Sequence, residues 1–85
     1  MSSTVPREHD FRFLQEIGRR LVNARERANM SQAQVAALAK ITPQQLSHYE
    51  LGMSDPPVCT LQRIAHALRI NVTALLVQVS VMAEQ

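Results

Sequence analysis

The stretch SQAQVAALAKITPQQLSHYE, Ser31 to Glu50, decides the fold, because it holds two helix starts in close succession. Ser31 with Gln34 is an S-x-x-Q capping box. The hydroxyl satisfies a free backbone N–H inside the helix, and the glutamine reaches back to the cap. Thr42 with Gln45 repeats the device, and Pro43 takes the first helical position, where its missing N–H costs nothing. Only Lys40 and Ile41 separate the first of these helices from the cap of the next. So short a turn cannot lay the two helices antiparallel and forces a steep crossing. Ala36 is small enough for close approach, and Ile41 is expected beneath the turn. Val35, Ala36 and Ala39, with Leu38, form the inner face of the first helix. Leu46 and Tyr49 point inward from the second, leaving Gln44, Gln45, Ser47 and His48 outside. These are uncharged hydrogen-bonding groups, and a glutamine can bond adenine bidentately. One helix braces while the other presents. That is the helix-turn-helix arrangement, whose second helix can enter a major groove.

Working outward, Phe13/Leu14, Ile17, Leu21, Ala24 and Ala28 form a helical stripe running to about Asn29. Gly52 stops the third helix. The DPP turn, Asp55 to Pro57, opens a fourth with Val58, Leu61, Ile64, Ala65 and Leu68 inward. Asn71 caps a fifth carrying Val72, Leu75, Leu76 and Val79. The tail fits two periods. Val77, Val79 and Val81 alternate as in a strand, while Val72, Leu75, Leu76, Val79 and Met82 fit a helix. With no breaker after the cap, the helix is expected to run to about Met82. The fold class is therefore all-α, with five helices and the helix-turn-helix at the second and third. Residues 1–10 are read as an N-terminal arm, 11–76 as the domain, and 77–85 as an extension of the fifth helix. The surplus of apolar residues in that extension points to self-association through Leu75, Leu76, Val79 and Met82, or to core filling against the first helix.

Composition bounds the function. With 85 residues, 46% of them apolar, the chain can bury one small core. Its one cysteine, Cys59, excludes an internal disulfide and any cysteine-based zinc site. No apolar run approaches the ~20 residues of a membrane span. The N-terminus MSSTVPREHD lacks a signal peptide's layout, so the expected address is the cytoplasm. Net charge is +2, yet Arg7, Arg12, Arg19, Arg20, Arg25 and Arg27 crowd the first third. That basic side suits a polyanion or is an ordinary solvated face. His9, His48 and His66 are too scattered for a metal site, and no glycine-rich phosphate loop exists, so no cofactor or metal is expected. Ser47 and His48 diverge by about 100° on their helix, wrong for a nucleophile and its base. No enzyme is expected.

Arg25 falls on the inward stripe of the first helix, and Glu50 follows Leu46 by four on the inward side of the third. Lone charges on buried stripes are costly, so the two either pair or sit at the stripes' edges in water.

From Ile17 to Leu76 the pattern I-G-x-x-L…R-x-x-x-x-M-S-Q-x-x-V-A…I-T-P-x-x-L-S-x-Y-E-x-G…P…L-x-x-I-A-x-A-L…L-L resembles the Cro/phage-repressor (XRE-like) helix-turn-helix family. The resemblance implies a lambda-repressor-like DNA-binding domain and a transcription regulator. It would be a repressor reading a pseudo-palindromic operator in double-stranded DNA as a homodimer. By the same resemblance Gln44 and His48 take the main base-reading positions, with Gln45 and Ser47 as neighbours. Gln32 binds a phosphate beside the free N–H groups of its helix, and Arg19, Arg20, Lys40 and Thr42 are further phosphate candidates. Arg25 and Glu50 match the family's internal ion pair. The sequence departs from the pattern where Lys40 replaces a turn glycine. Met53, Ser54 and Asp55 stand where the family often has cations, and Pro57 replaces a capping serine or threonine. The alternative is an antitoxin-like or adaptor module that keeps this fold and grips a partner protein.

Overall fold

The structure, a computed structural model, describes residues 8–76, with side chains from residue 11. Its elements are α1 (Glu8–Arg27), α2 (Gln32–Ala39), α3 (Pro43–Glu50), α4 (Val58–Ala67) and a terminal 3-10 turn (Val72–Leu75). Among the described residues there is no strand, and the all-α expectation holds. The fifth helix reduces to that single turn, started by the Asn71 side chain, which accepts the Thr73 N–H at 3.0 Å. The proposed continuation to Met82, including Val79, lies outside the described residues. α1 begins at Glu8, so the last three residues assigned to an N-terminal arm are helical.

One core joins all five elements. Ile17 and Leu21 of α1, Val35 and Ala39 of α2, Leu46 of α3, Leu61, Ile64 and Ala65 of α4, and then Leu68 and Leu75 form one buried cluster. Fully burying a side chain of this kind contributes about 1.5–3 kcal/mol relative to leaving it in water. Ala36 and Ala39 have no exposed surface at all, which shows why α2 carries small residues against its neighbours.

Four positions expected inside are exposed: Phe13, Ala28, Leu38 and Val58. Phe11 and Phe13 lie near the start of α1, about one to two turns before its buried residues begin at Ile17. Ala28 belongs to the turn after α1. On α2 the buried stripe is Val35, Ala36 and Ala39, and Leu38 sits roughly 100° around the helix from its centre. Val58 is in the first turn of α4, where the chain has only just reached the body, and Pro57 before it provides no side-chain cap.

All four α-helices end in the same way. Asn29, Lys40, Gly52 and Arg69 each adopt positive φ, between 59° and 75°. At each end the N–H of the following residue returns to a carbonyl five back: Met30 to Arg25, Ile41 to Ala36, Met53 to His48 and Ile70 to Ala65. This is the Schellman closure, which satisfies carbonyls the helix itself leaves open. Only Gly52 was legible as a stop, since glycine alone takes this conformation without strain. Met30, Ile41 and Ile70 then fold onto the core, which completes the closure with an apolar contact. Met53 does not; it is 66% exposed.

Gly18 fixes the spacing of α1 and α3. A Cβ there would lie 2.4 Å from the Glu50 carbonyl oxygen and 2.7 Å from that of Tyr49. α1 therefore rests directly on the closing carbonyls of α3, a contact no side chain would permit.

Candidate nucleic-acid interface

Both helix starts take the form that their sequence dictates. At α2 the Ser31 hydroxyl accepts the Gln34 N–H at 3.1 Å, and the Gln34 side chain accepts the Ser31 N–H at 2.8 Å. At α3 Thr42 and Gln45 exchange the same two bonds, at 3.0 and 2.9 Å. Between them Lys40 holds φ 62°, an αL lysine that costs roughly 1–2 kcal/mol of strain. Ile41 packs partly buried against the core below the turn.

Leu46, 1% exposed, and half-buried Tyr49 orient α3. Its other face carries exposed Gln44 and Gln45 with half-buried Ser47 and His48. The two glutamines are not equivalent. The carbonyl end of Gln45 is committed to the capping box, and a bidentate contact to adenine needs both ends of the amide. The Gln44 side chain makes no hydrogen bond among the described residues, which leaves both its ends open. Of the base-reading candidates, Gln44 alone is both exposed and uncommitted.

Beneath this face Arg25 and Glu50 meet in a two-pronged bond. Arg25 Nε donates to Glu50 Oε2 at 2.7 Å and Nη2 to Oε1 at 3.2 Å. The side chains are 17% and 5% exposed, so the pair is largely removed from water. The hydrogen bond it donates to Glu50 holds the Arg25 guanidinium above its ordinary pKa, against the opposing effect of burial. Arg25 Nη1 also donates to the Met30 carbonyl at 3.0 Å, and Gln32 Nε2 donates to Glu50 Oε1 at 2.8 Å. One carboxylate thus ties the end of α1, the start of α2 and the end of α3 together. Charge-assisted bonds of this geometry are the strong ones.

The residues expected at phosphates are more occupied than the sequence implied. Gln32 turns its amide to Glu50 and is half-buried at the start of α2. Arg19 and Arg20 both clasp Glu16 within α1, Arg20 Nη2 at 2.6 Å. Arg20 is only 10% exposed, so it is a poor candidate for DNA; Arg19 is 65% exposed and keeps its reach. Lys40 and Thr42 are both exposed at the turn. Of the expected dimer residues, Leu75 is 1% exposed and belongs to the protomer's own core, and Leu76 is half-buried. Val79 and Met82 lie outside the described residues. His66 and Cys59 are exposed on α4.

Two residues escaped sequence reasoning. Arg63 Nε donates to the Ala39 carbonyl at 2.8 Å, so α4 braces the C-terminus of α2 just before the turn. A cation beside a helix C-terminus is favourable, but nothing in one sequence places Arg63 there. Gly18 did leave a signal. A mid-helix glycine costs about 1 kcal/mol relative to alanine and asks for a reason, which the α3 carbonyls supply.

A capped pair of short helices, one braced and one outward, defines a helix-turn-helix DNA-binding protein. The Helix-turn-helix (HTH_3) family model matches residues 21–75, and the chain belongs to that family of DNA-binding transcription regulators. No curated protein matches it. Among solved structures it is similar to the restriction-modification controller protein C.AhdI from Aeromonas hydrophila, at 26% identity and a TM-score of 0.72. That match covers 73% of this chain and 94% of the other. An HTH_3 family transcriptional regulator from Vibrio cholerae matches at 29% identity and a TM-score of 0.75, over 81% of this chain and 39% of that one. The clp gene regulator ClgR from Corynebacterium glutamicum, at 24% identity, shares the fold with a TM-score of 0.77, over 86% of this chain and 79% of its own. No helix among the described residues is long and apolar enough to cross a membrane.

Proposed function

We propose that the chain is a sequence-specific transcriptional repressor that reads a pseudo-palindromic operator in double-stranded DNA as a homodimer. The carrying observation is the outward face of α3, where uncommitted Gln44 stands beside Ser47 and His48 on a helix anchored by Leu46. α3 enters the major groove; Gln44 and His48 contact base edges, with Gln45 and Ser47 flanking them. Exposed Lys40, Thr42 and Arg19, with the N-terminus of α2 at Gln32, serve the phosphates. The similarity to a controller protein and to a transcriptional regulator supports the regulatory role. Two copies of α3 would sit about one DNA turn apart, roughly 34 Å, and repression would follow from occupying the promoter.

A titration of the chain and its Gln44→Ala variant against a selected site and a scrambled one, at three salt concentrations, tests this reading. The variant should lose about 1–3 kcal/mol on the selected site and almost nothing on the other, with an unchanged salt slope. Equal weakening on both DNAs would remove α3 as the reading element.

A second reading rests on Leu51 and Met53, 62% and 66% exposed in the loop after α3, with Phe11 exposed on α1. These apolar groups would suit an adaptor that grips a partner protein. Such a protein shows no salt-dependent shift of DNA in the same titration.

A further inference from the structure

α2 and α3 form the two sides of an angle. The turn at Lys40 and Ile41 joins the end of α2 to the start of α3, and each helix extends eight residues from it. Eight residues span about 12 Å. Gln32 opens α2 and Glu50 closes α3, so the two stand at the far ends of the angle. Across that opening Gln32 Nε2 donates to Glu50 Oε1 at 2.8 Å. Among the described residues this is the one side-chain hydrogen bond between the two helices. We propose, on the basis that α3 reads DNA as above, that Gln32 is a positioning residue. By holding the Glu50 carboxylate it fixes the angle between α2 and α3, and so sets where His48 meets a base.

The chemistry fixes the sense of the bond. Glu50 is 5% exposed, and its carboxylate, ionised against Arg25, can only accept. The Gln32 amide must therefore present its nitrogen. Arg25 takes both oxygens, Nε to Oε2 and Nη2 to Oε1, and fastens the carboxylate to α1. Gln32 fastens the same carboxylate to α2. Gln32 itself starts from a fixed point. The Ser31–Gln34 box holds the first turn of α2, and Arg25 Nη1 holds the Met30 carbonyl just before it.

A change of angle is felt most at the far end. Gln44 lies in the first turn of α3 beside the hinge, and His48 one turn further out, two residues before Glu50. Opening the angle by about 10° moves His48 by about 1.5 Å and Gln44 by about 0.5 Å. A recognition contact needs its groups held within about 0.5 Å of the productive geometry. The tie therefore matters to His48 far more than to Gln44.

Gln32→Met keeps the side chain's length and loses its donor. It should weaken a selected site about tenfold more than a scrambled one, the size expected for a hydrogen bond to a charged group. That excess should vanish in a His48→Ala background and persist in a Gln44→Ala background. Gln32→Lys returns a donor to Glu50 and should restore the ratio. In the DNA-free chain, residual dipolar couplings should show a changed angle between α2 and α3 in Gln32→Met, with the helical circular-dichroism signal retained. Equal weakening of both DNAs, with a salt slope lower by about one unit per subunit, would make Gln32 a phosphate ligand and overturn the positioning role. An unchanged angle overturns it too, as does a ratio that falls in Gln32→Lys as it does in Gln32→Met. A parent chain that prefers neither DNA overturns reading by α3 instead, and the dipolar couplings still decide whether Gln32 sets the angle.

Discussion

α2 and α3 are the same length, start with the same capping box and end in the same closure, yet they do different work. α2 buries Val35, Ala36 and Ala39, and its C-terminal carbonyl is held by Arg63. α3 buries only Leu46 and gives up most of its surface. The difference teaches that local signals set where a helix begins and stops, while the neighbours decide what it is for. α2 lies between α3 and α4, and α3 between α2 and α1, with its α1 edge at Gly18 and the Arg25–Glu50 pair.

That edge is where the comparison breaks most easily. Glu50→Ala strands Arg25 and releases Gln32, and should destabilise the domain by about 3–5 kcal/mol in chemical denaturation. Replacing Arg25 and Glu50 together with apolar residues should recover much of that loss, and strictly additive losses would mean the two do not interact. Gly18→Ala pushes a methyl into the α3 carbonyls and should cost about 1–3 kcal/mol. Because α3 itself must move, operator affinity should fall along with stability. A thermal melt indistinguishable from that of the parent would show that α1 and α3 are not in contact there.

The shared features should respond alike. Ser31→Ala and Thr42→Ala each remove one capping bond, and each should cost about 1 kcal/mol by denaturation. A large gap between them would mean that one of the boxes does more than start its helix. The smallest effect belongs to the turn between the helices. Lys40→Gly relieves αL strain against glycine's own entropy cost and should stabilise by about 0.5–1 kcal/mol. DNA affinity should fall nonetheless, with a shallower salt slope if Lys40 meets a phosphate.

The sequence by itself determined the helix starts, because a capping box needs only residues three apart in one chain. It determined the buried faces of α1 and α4 around Ile17, Leu21, Leu61, Ile64 and Leu68, because their spacing is the helix period. The outward set on α3 was legible for the same reason, and the many-position family pattern agreed with it. Other features required the tertiary structure. Three of the four helix ends use Asn29, Lys40 and Arg69 where a glycine would be easiest, since closure is enforced by the apolar residue that folds onto the core after each. Leu38 and Val58 are apolar yet exposed, because no neighbour among the described residues covers their side of the helix. Gln32 and Gln44 look alike in sequence. One is spent on Glu50 and the other left open, because only the folded chain brings Glu50 to the start of α2.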